Sequence, residues 1–211
     1  MEELRGPLRA IDGYSHALIE DYGALLDEHA RDYIMRTRTA SQRMGQIIDD
    51  MLTLSRTTRR ELVMAETDLS ALARDALMRL ALDDPGRRVE TEVVEGIRAH
   101  GDASLLAIVL DNLLSNAWKY TARVEAARIG FGDLRQEGQT VYWVRDNGVG
   151  FDMTYIDKLF QPFQRLHSAE DYPGSGIGLA TAARIIHRHG GRIWAQSEVG
   201  QGATFYFTLG T

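Results

Sequence analysis

Hydrophobic positions follow two different rhythms along the chain. In the first sixty residues they recur at alternating steps of four and three. Leu4, Leu8, Ile11, Ser15, Leu18, Tyr22 and Leu25 trace one such line, and Tyr33, Thr37, Ala40, Met44, Ile47, Met51 and Leu54 a second. That heptad spacing predicts two helices, each with a seam suited to left-handed helix packing. The connection is expected near Asp27-Glu28-His29, short enough to make the helices antiparallel neighbours, and Pro7 is expected to kink the first helix. One hairpin buries little by itself, so pairing with a second copy into a four-helix bundle is its natural completion. The basic, polar run Arg56-Thr57-Thr58-Arg59-Arg60-Glu61 ends the seam and reads as a hinge, dividing the chain into residues 1–60 and 61–211.

Beyond the hinge, helical and alternating patterns take turns. Asp68 is placed to cap a helix from Leu69 to Leu82, which Pro85-Gly86 would end, and Asp102 to cap another from Ala103 to Lys119. Arg88–Val94, Ala127–Leu134 and Thr140–Arg145 alternate as strands, the last two joined around Glu137-Gly138. A helix over Ile177–His189 and strands near Arg192–Ser197 and Ala203–Leu209 complete the pattern. Helices with a mostly antiparallel sheet, and no βαβ regularity, predict a two-layer α+β sandwich.

Composition narrows the function. At 211 residues, 44% apolar and 26% charged, the chain is an ordinary globular protein with room for a substantial core. A net charge of −6 argues against nucleic-acid binding, which depends on a basic surface. No apolar run is long enough to span a membrane, and Met1-Glu2-Glu3-Leu4-Arg5 is not the start of a signal peptide. The absence of cysteine fits a reducing, cytoplasmic setting and excludes disulfides and thiolate metal sites.

Four motifs carry candidate chemistry. Asn112, Asn116 and Lys119 are spaced by four and three, so a helix presents them on one face: amide oxygens suited to Mg²⁺ and an ammonium suited to phosphate. Asp146-Asn147-Gly148-Val149-Gly150 follows an apolar strand; its carboxylate can accept from an exocyclic amine such as that of adenine, and its glycines admit a flat ring. Gly174-Ser175-Gly176-Ile177-Gly178-Leu179 opens a helix, where backbone N–H groups form an anion site. It has neither the ending of a P-loop nor the preceding strand of a dinucleotide fingerprint. Between these two motifs Phe160-Gln161-Pro162-Phe163-Gln164-Arg165-Leu166-His167 reads as a mobile lid, and Gly200-Gln201-Gly202-Ala203-Thr204-Phe205 turns into the last strand.

Taken in order, these motifs resemble the catalytic domain of bacterial sensor histidine kinases, most closely those linked to phytochrome or PAS-type sensors. Leu4-Arg5-Gly6-Pro7-Leu8-Arg9-Ala10-Ile11 resembles the end of their phosphoacceptor helix motif. The resemblance implies a Bergerat-type ATP site shared with gyrase and certain chaperone ATPases. In it Asp146 binds adenine, Gly148 and Gly150 shape the pocket, and Asn116, with Asn112 nearby, holds Mg²⁺. Lys119 and Tyr120 line the phosphate side, Gly174, Gly176, Gly178 and Leu179 cradle phosphates, and Thr204 lies at the base. It further implies a homodimer, a response-regulator receiver domain as partner, and a sensor domain upstream.

The hairpin departs from that family at its chemical centre. Aligning Leu4-Arg5 and Pro7-Leu8 with the family motif places Glu3 on the acidic position and Glu2 on the phosphoacceptor histidine. A carboxylate is a poor nucleophile beside a neutral imidazole and sets negative charge against an anionic substrate. The position four residues on, where many relatives carry a threonine or asparagine that supports phosphatase activity, is Gly6. His16 lies two heptads beyond Glu2 on the same face, roughly 21 Å along the helix. His187 and His189 fall where a helix C-terminus favours a cation, and His29, His100 and His167 fall in turns or loops; no structural metal is expected. Two readings stand: a kinase module whose acceptor has been replaced, and a degenerate kinase acting as a nucleotide-binding, dimeric signalling module. A gyrase- or chaperone-like ATPase would share the pocket but not the heptad hairpin.

Overall fold

The computed structural model describes the chain except for residues 1, 60, 169, 170, 173 and 211 and the side chains of residues 2–4 and 54–59. The chain forms two compact units, Met1–Thr53 and Leu54–Thr211.

The first unit is the expected hairpin. Helix α1 (Glu2–Tyr22) remains one helix in spite of Pro7, and α2 (Glu28–Arg59) continues past the end of this unit. The connection is residues 23–27, a little earlier than the spacing suggests, because Asp27 is an effective cap: its carboxylate accepts from Ala30 N–H at 2.7 Å. Glu28 and His29 are therefore already in the first turn of α2. Arg31 Nε donates to the Gly23 carbonyl at 2.8 Å and satisfies the end of α1.

The inner face of the hairpin takes up only part of the predicted seam, Ser15 with the half-buried Leu8 and Ile47. Its buried residues are Ser15 and Ser41, and Ser41 Oγ donates to the Leu8 carbonyl at 2.8 Å. Asp12 accepts from Arg38 Nε at 3.0 Å and Gln42 Nε2 at 2.8 Å. Most of the apolar seam (Ile11, Leu18, Tyr22, Leu25, Tyr33, Met44 and Met51) is exposed instead, Leu25 at 82% and Tyr33 at 67%.

The second unit is a five-stranded mixed sheet with helices on one face. In chain order it contains β1 (Ala65–Asp68), α3 (Leu69–Asp83), β2 (Glu90–Val93), β3 (Arg98–Gly101) and α4 (Ala103–Tyr120). Then follow β4 (Arg128–Gln136), β5 (Gln139–Asp146), the short α5 (Ile156–Leu159), α6 (Gly178–Arg188), β6 (Ile193–Glu198) and β7 (Gly202–Phe207). The strand order is β2-β4-β5-β7-β6; β2 and β4 run parallel, and every other neighbour is antiparallel. The strands β1 and β3 form a separate two-stranded ribbon that the hydrophobic pattern does not foretell.

The caps are where the sequence puts them. Asp68 accepts from Ala71 N–H at 2.8 Å, and Asp102 accepts from Ser104 and Leu105 N–H at 3.0 and 3.2 Å. Between β4 and β5, Glu137 and Gly138 both take positive φ, 52° and 81°, the requirement of a two-residue type I′ turn. The core lies between α4 and the sheet. Leu106, Val109, Leu110, Leu113 and Leu114 meet Phe131, Val144 and Phe207, with α3 adding Leu69 and Ala73 and α6 adding Ile185 and Ile186. Because α4 lies centrally, its C-terminal half is held at one edge of this core, and that edge is where the motifs gather.

Candidate functional site

Asp146 closes β5 with its side chain buried. Its carboxylate accepts from Gly148 N–H at 2.8 Å and from Ala203 N–H. Burial pushes the carboxyl up to about 6, against the pull of those two N–H groups. A carboxylate has about four acceptor positions, so it retains capacity for a ligand donor.

The glycines beside it are demanded by space. A Cβ on Gly148 would stand 2.5 Å from the Tyr120 carbonyl oxygen. Gly150 has φ of 59°, and a Cβ there would stand 2.0 Å from the Glu198 carbonyl oxygen. Asn147 has a supporting role: its amide oxygen accepts from Arg128 N–H at 2.7 Å and its Nδ2 donates to the Ala126 carbonyl at 2.8 Å.

The residues of α4 separate into two roles. Asn112 Nδ2 donates back to the Ile108 carbonyl at 2.7 Å, and its Oδ1 sits 2.3 Å from where a Cβ on Gly178 would be. It is therefore packed into the contact between α4 and the first turn of α6. Asn116, one turn on, is half-buried and makes no hydrogen bond among the described residues, leaving a carboxamide available for a hard cation. Lys119 follows with its Nζ 4.2 Å from the centroid of the Tyr120 ring and 3.4 Å from the position of a Cβ on Gly174. Burial, and then the Arg165 guanidinium, lower the Lys119 ammonium to about 8.

Lys119 and Tyr120 are the point of convergence. The Tyr120 carbonyl accepts from Val149 N–H at 3.2 Å, tying α4 to the loop after Asp146, while Lys119 faces Gly174. The carbonyl of Gly176 accepts from Phe163 N–H at 2.9 Å, and Gly178 begins α6, whose first N–H groups have no partner within the helix. Leu179 is half-buried and packs against the core.

Thr204 is not part of this arrangement. Asp146 lies opposite Ala203 in the sheet, and Arg145 lies opposite Thr204. Side chains alternate between faces along a strand, so Thr204 points away from the side on which Asp146 lies. The residue of β7 that serves the pocket is Ala203, through its backbone N–H.

In and beside the lid, individual residues make contacts that the sequence reading does not assign. Arg165 donates to the carbonyls of Gly174 at 2.9 Å, Ser168 at 3.3 Å and Tyr172, folding the lid onto its own backbone. Tyr172 and His167 pack with Tyr120, at centroid distances of 5.2 Å from Tyr120 in each case, and Arg123 pairs with Asp171 at 2.7 Å. Phe163 is exposed with φ of 65°, an unfavourable conformation for an aromatic residue.

Besides His29 in α2, two histidines differ from expectation: His189, and His100, which lies in β3 and not in a loop. His189 is buried, its Nε2 accepting from Asp102 N–H at 3.0 Å and its Nδ1 lying 2.8 Å from the Ile185 carbonyl. An acceptor at Nε2 and a donor at Nδ1 describe a neutral ring, not a cation at a helix end. His16 is exposed, 3.7 Å from Glu20. The side chains of Glu2 and Glu3 lie outside the described residues.

Comparison with known proteins agrees with this geometry. Residues 101–211 match the family described as histidine kinase-, DNA gyrase B- and HSP90-like ATPase, and residues 2–60 match the His Kinase A (phospho-acceptor) domain. The chain is 37% identical over 98% of its length to cyanobacterial phytochrome B of Nostoc sp., and 34% identical over 98% to phytochrome-like protein Cph1 of Synechocystis sp.. It spans 28% of the length of each. Its fold is that of full-length ShkA in complex with AMPPNP, with a TM-score of 0.70 at 24% identity over 99% of this chain and 44% of that one. No helix among the described residues is long and apolar enough to cross a membrane. With an ATPase domain of this family following a phosphoacceptor-type hairpin, the chain belongs to the sensor histidine kinases and comprises their transmitter module.

Proposed function

We propose that the chain binds ATP with Mg²⁺ and passes its γ-phosphoryl group to a histidine on another chain, from which it moves to a response-regulator receiver domain. The observation that carries this reading is the convergence of three motifs on Lys119 and Tyr120, with the Asp146 carboxylate at one side. Asp146 accepts the adenine amine, and the space cleared by Gly148 and Gly150 admits the ring. Lys119 faces the phosphates, with Gly174, Gly176 and the N-terminal turn of α6 around them. Asn116 supplies a protein oxygen to Mg²⁺, whose remaining ligands are phosphate oxygens and water. When bound, the ion neutralises phosphate charge.

Residues 1–60 act as the dimerisation hairpin and 61–211 as the catalytic domain. The exposed seam Ile11–Leu18–Tyr22 with Tyr33, Met44 and Met51 is covered by the same face of a second copy. Glu2 at the acceptor position prevents phosphorylation of the hairpin in cis or within a symmetric pair. The test mixes the chain with a Glu2→His, Asp146→Asn version, able to accept but not to bind nucleotide, in the presence of γ-labelled ATP and Mg²⁺. Acid-labile label on the doubly substituted chain is the expected result. Nucleotide binding without such label would favour the degenerate reading, in which the module signals through nucleotide-dependent association alone.

A further inference from the structure

The helices of this unit cover one face of the sheet, and among the unit's own described residues the opposite face has no second layer. Such a face is ordinarily polar. Here its centre is aromatic. Trp143 on β5, Tyr206 on β7 and Trp194 on β6 stand directly opposite one another in the pairing, Trp143 against Tyr206 and Tyr206 against Trp194. The rings of Trp194 and Tyr206 are stacked, 5.5 Å apart and 14° from parallel. The neighbouring strand makes room for the row: a Cβ on Gly132 would stand 2.3 Å from the Trp143 ring, and one on Gly130 3.0 Å from it.

An arginine covers each end. The Arg145 guanidinium lies 5.1 Å from the Trp143 ring centroid and Arg192 4.7 Å from that of Trp194. Both side chains are exposed, and among the described residues neither forms an ion pair. Elsewhere on this unit Arg74, Arg79, Arg98, Arg123 and Arg128 are paired with carboxylates, while among the described residues Arg88, Arg135 and Arg184 form no ion pair but lie over no aromatic ring. Beside the row lies a shallow groove of about 380 Å³, lined by Leu134, Gln136, Arg192, Trp194, Gln196 and Tyr206.

The geometry points to a docking surface on this open sheet face for an acidic protein segment, its apolar side chains on the Trp143–Tyr206–Trp194 row and its carboxylates on Arg145 and Arg192. Tryptophan, tyrosine and arginine are the residues that concentrate binding energy at protein interfaces. Unpaired guanidinium forks match carboxylates in bidentate geometry, and in a chain of net charge −6 they form a local site of complementary sign. Single-stranded nucleic acid is the poorer fit. Its bases need open ring faces, whereas Trp194 and Tyr206 are stacked on each other and Trp143 and Trp194 each lie under an arginine, and the chain's overall charge repels phosphate.

The test uses the whole chain, ¹⁵N-labelled, whose three tryptophans give three indole N–H signals. The probe is a short synthetic peptide alternating glutamate with leucine; the same peptide with glutamine for glutamate and a deoxythymidine oligonucleotide are the controls. With the glutamate peptide the signals of Trp143 and Trp194 move, while that of Trp118, buried under Arg87 in the helical layer, does not. The double substitution Arg145→Gln, Arg192→Gln weakens the peptide roughly tenfold or more while leaving the melting temperature and adenine-nucleotide affinity in place. No movement at either tryptophan overturns the proposal. So does equal affinity for the glutamine peptide, or binding of the oligonucleotide in place of the peptides.

Discussion

The hairpin and the sandwich solve the same problem in opposite ways. In the sandwich, apolar side chains from α3, α4, α6 and the sheet meet inside the unit, and Leu106, Val109, Leu110 and Leu113 are almost wholly buried. In the hairpin the fully buried contacts between helices are polar, Ser15 and Ser41 beside the Asp12–Arg38–Gln42 group, while Leu18, Tyr22, Leu25, Tyr33, Met44 and Met51 are exposed. The sandwich's specificity is therefore internal, expressed in close approaches such as Gly148 to Tyr120. The hairpin's specificity is directed outside the chain. The two differ chemically as well: the sandwich carries the motifs of the proposed nucleotide site, with Asn116, Lys119, Asp146, Gly174, Gly176 and Gly178, and the proposed acceptor position of the hairpin holds Glu2.

Charging the hairpin's outer face breaks the comparison most severely. Leu18→Asp with Met44→Asp is expected to abolish self-association in analytical ultracentrifugation, because it buries unpaired carboxylates in the bundle. Nucleotide affinity, a property of the sandwich, should change by less than about twofold in the same protein. Next in size is Asp146→Asn. Losing a charge-assisted hydrogen bond to the adenine amine should weaken ATP binding roughly 100-fold in calorimetry, with the fold retained.

Asn112 and Asn116 sharpen the picture of α4. Asn116→Ala should reduce ATP affinity about tenfold with Mg²⁺ and little without it. Asn112→Ala should instead lower stability by about 1–2 kcal/mol, since its side chain is packed between α4 and the first turn of α6. Smaller again is the effect of pH. Below about 6 Asp146 is protonated and accepts less well, and above about 8 Lys119 loses its charge, so ATP affinity should fall several-fold on either side of that window. Stability of the empty protein moves differently. Folded Asp146 binds its proton near 6 and the unfolded carboxyl near 3.8, so between these values the folded state holds more protons. This group's contribution to stability therefore rises as pH is lowered through that range, by up to about 3 kcal/mol. The smallest effect is expected for Thr204→Val, less than about twofold on ATP affinity, because Thr204 points away from the pocket.

What could be read from the sequence was local. Asp68 and Asp102 cap helices through contacts within three residues, and the Glu137-Gly138 turn needs only the two positive φ values of its own residues. The positions of Asp146 at a strand end and of Asn116 and Lys119 along one helix were legible because spacing fixes the element beneath them. What depended on distant partners was not. The ribbon of β1 and β3 pairs Ala65 with Gly101 through short, polar strands that carry little alternation. His189 is assigned its state by Asp102, far away in the chain. Asn112 was grouped with Asn116 because helical spacing cannot reveal that its amide turns back to Ile108 and its oxygen meets Gly178. Thr204 was misplaced by one step of strand alternation, which only the pairing of Asp146 with Ala203 reveals. The hairpin seam was visible as a pattern, yet nothing in it told an inner face from an outer one.

The proposed function sets a nucleotide site behind a hairpin whose acceptor position holds Glu2. The most direct measurement is label uptake from γ-labelled ATP and Mg²⁺ by the chain and by its Glu2→His version, each beside an Asp146→Asn control. No label on the chain, acid-labile label on Glu2→His and none on either control are the expected results. Label on the chain itself, or a Glu2→His protein that binds ATP and remains unlabelled, would contradict the proposed function.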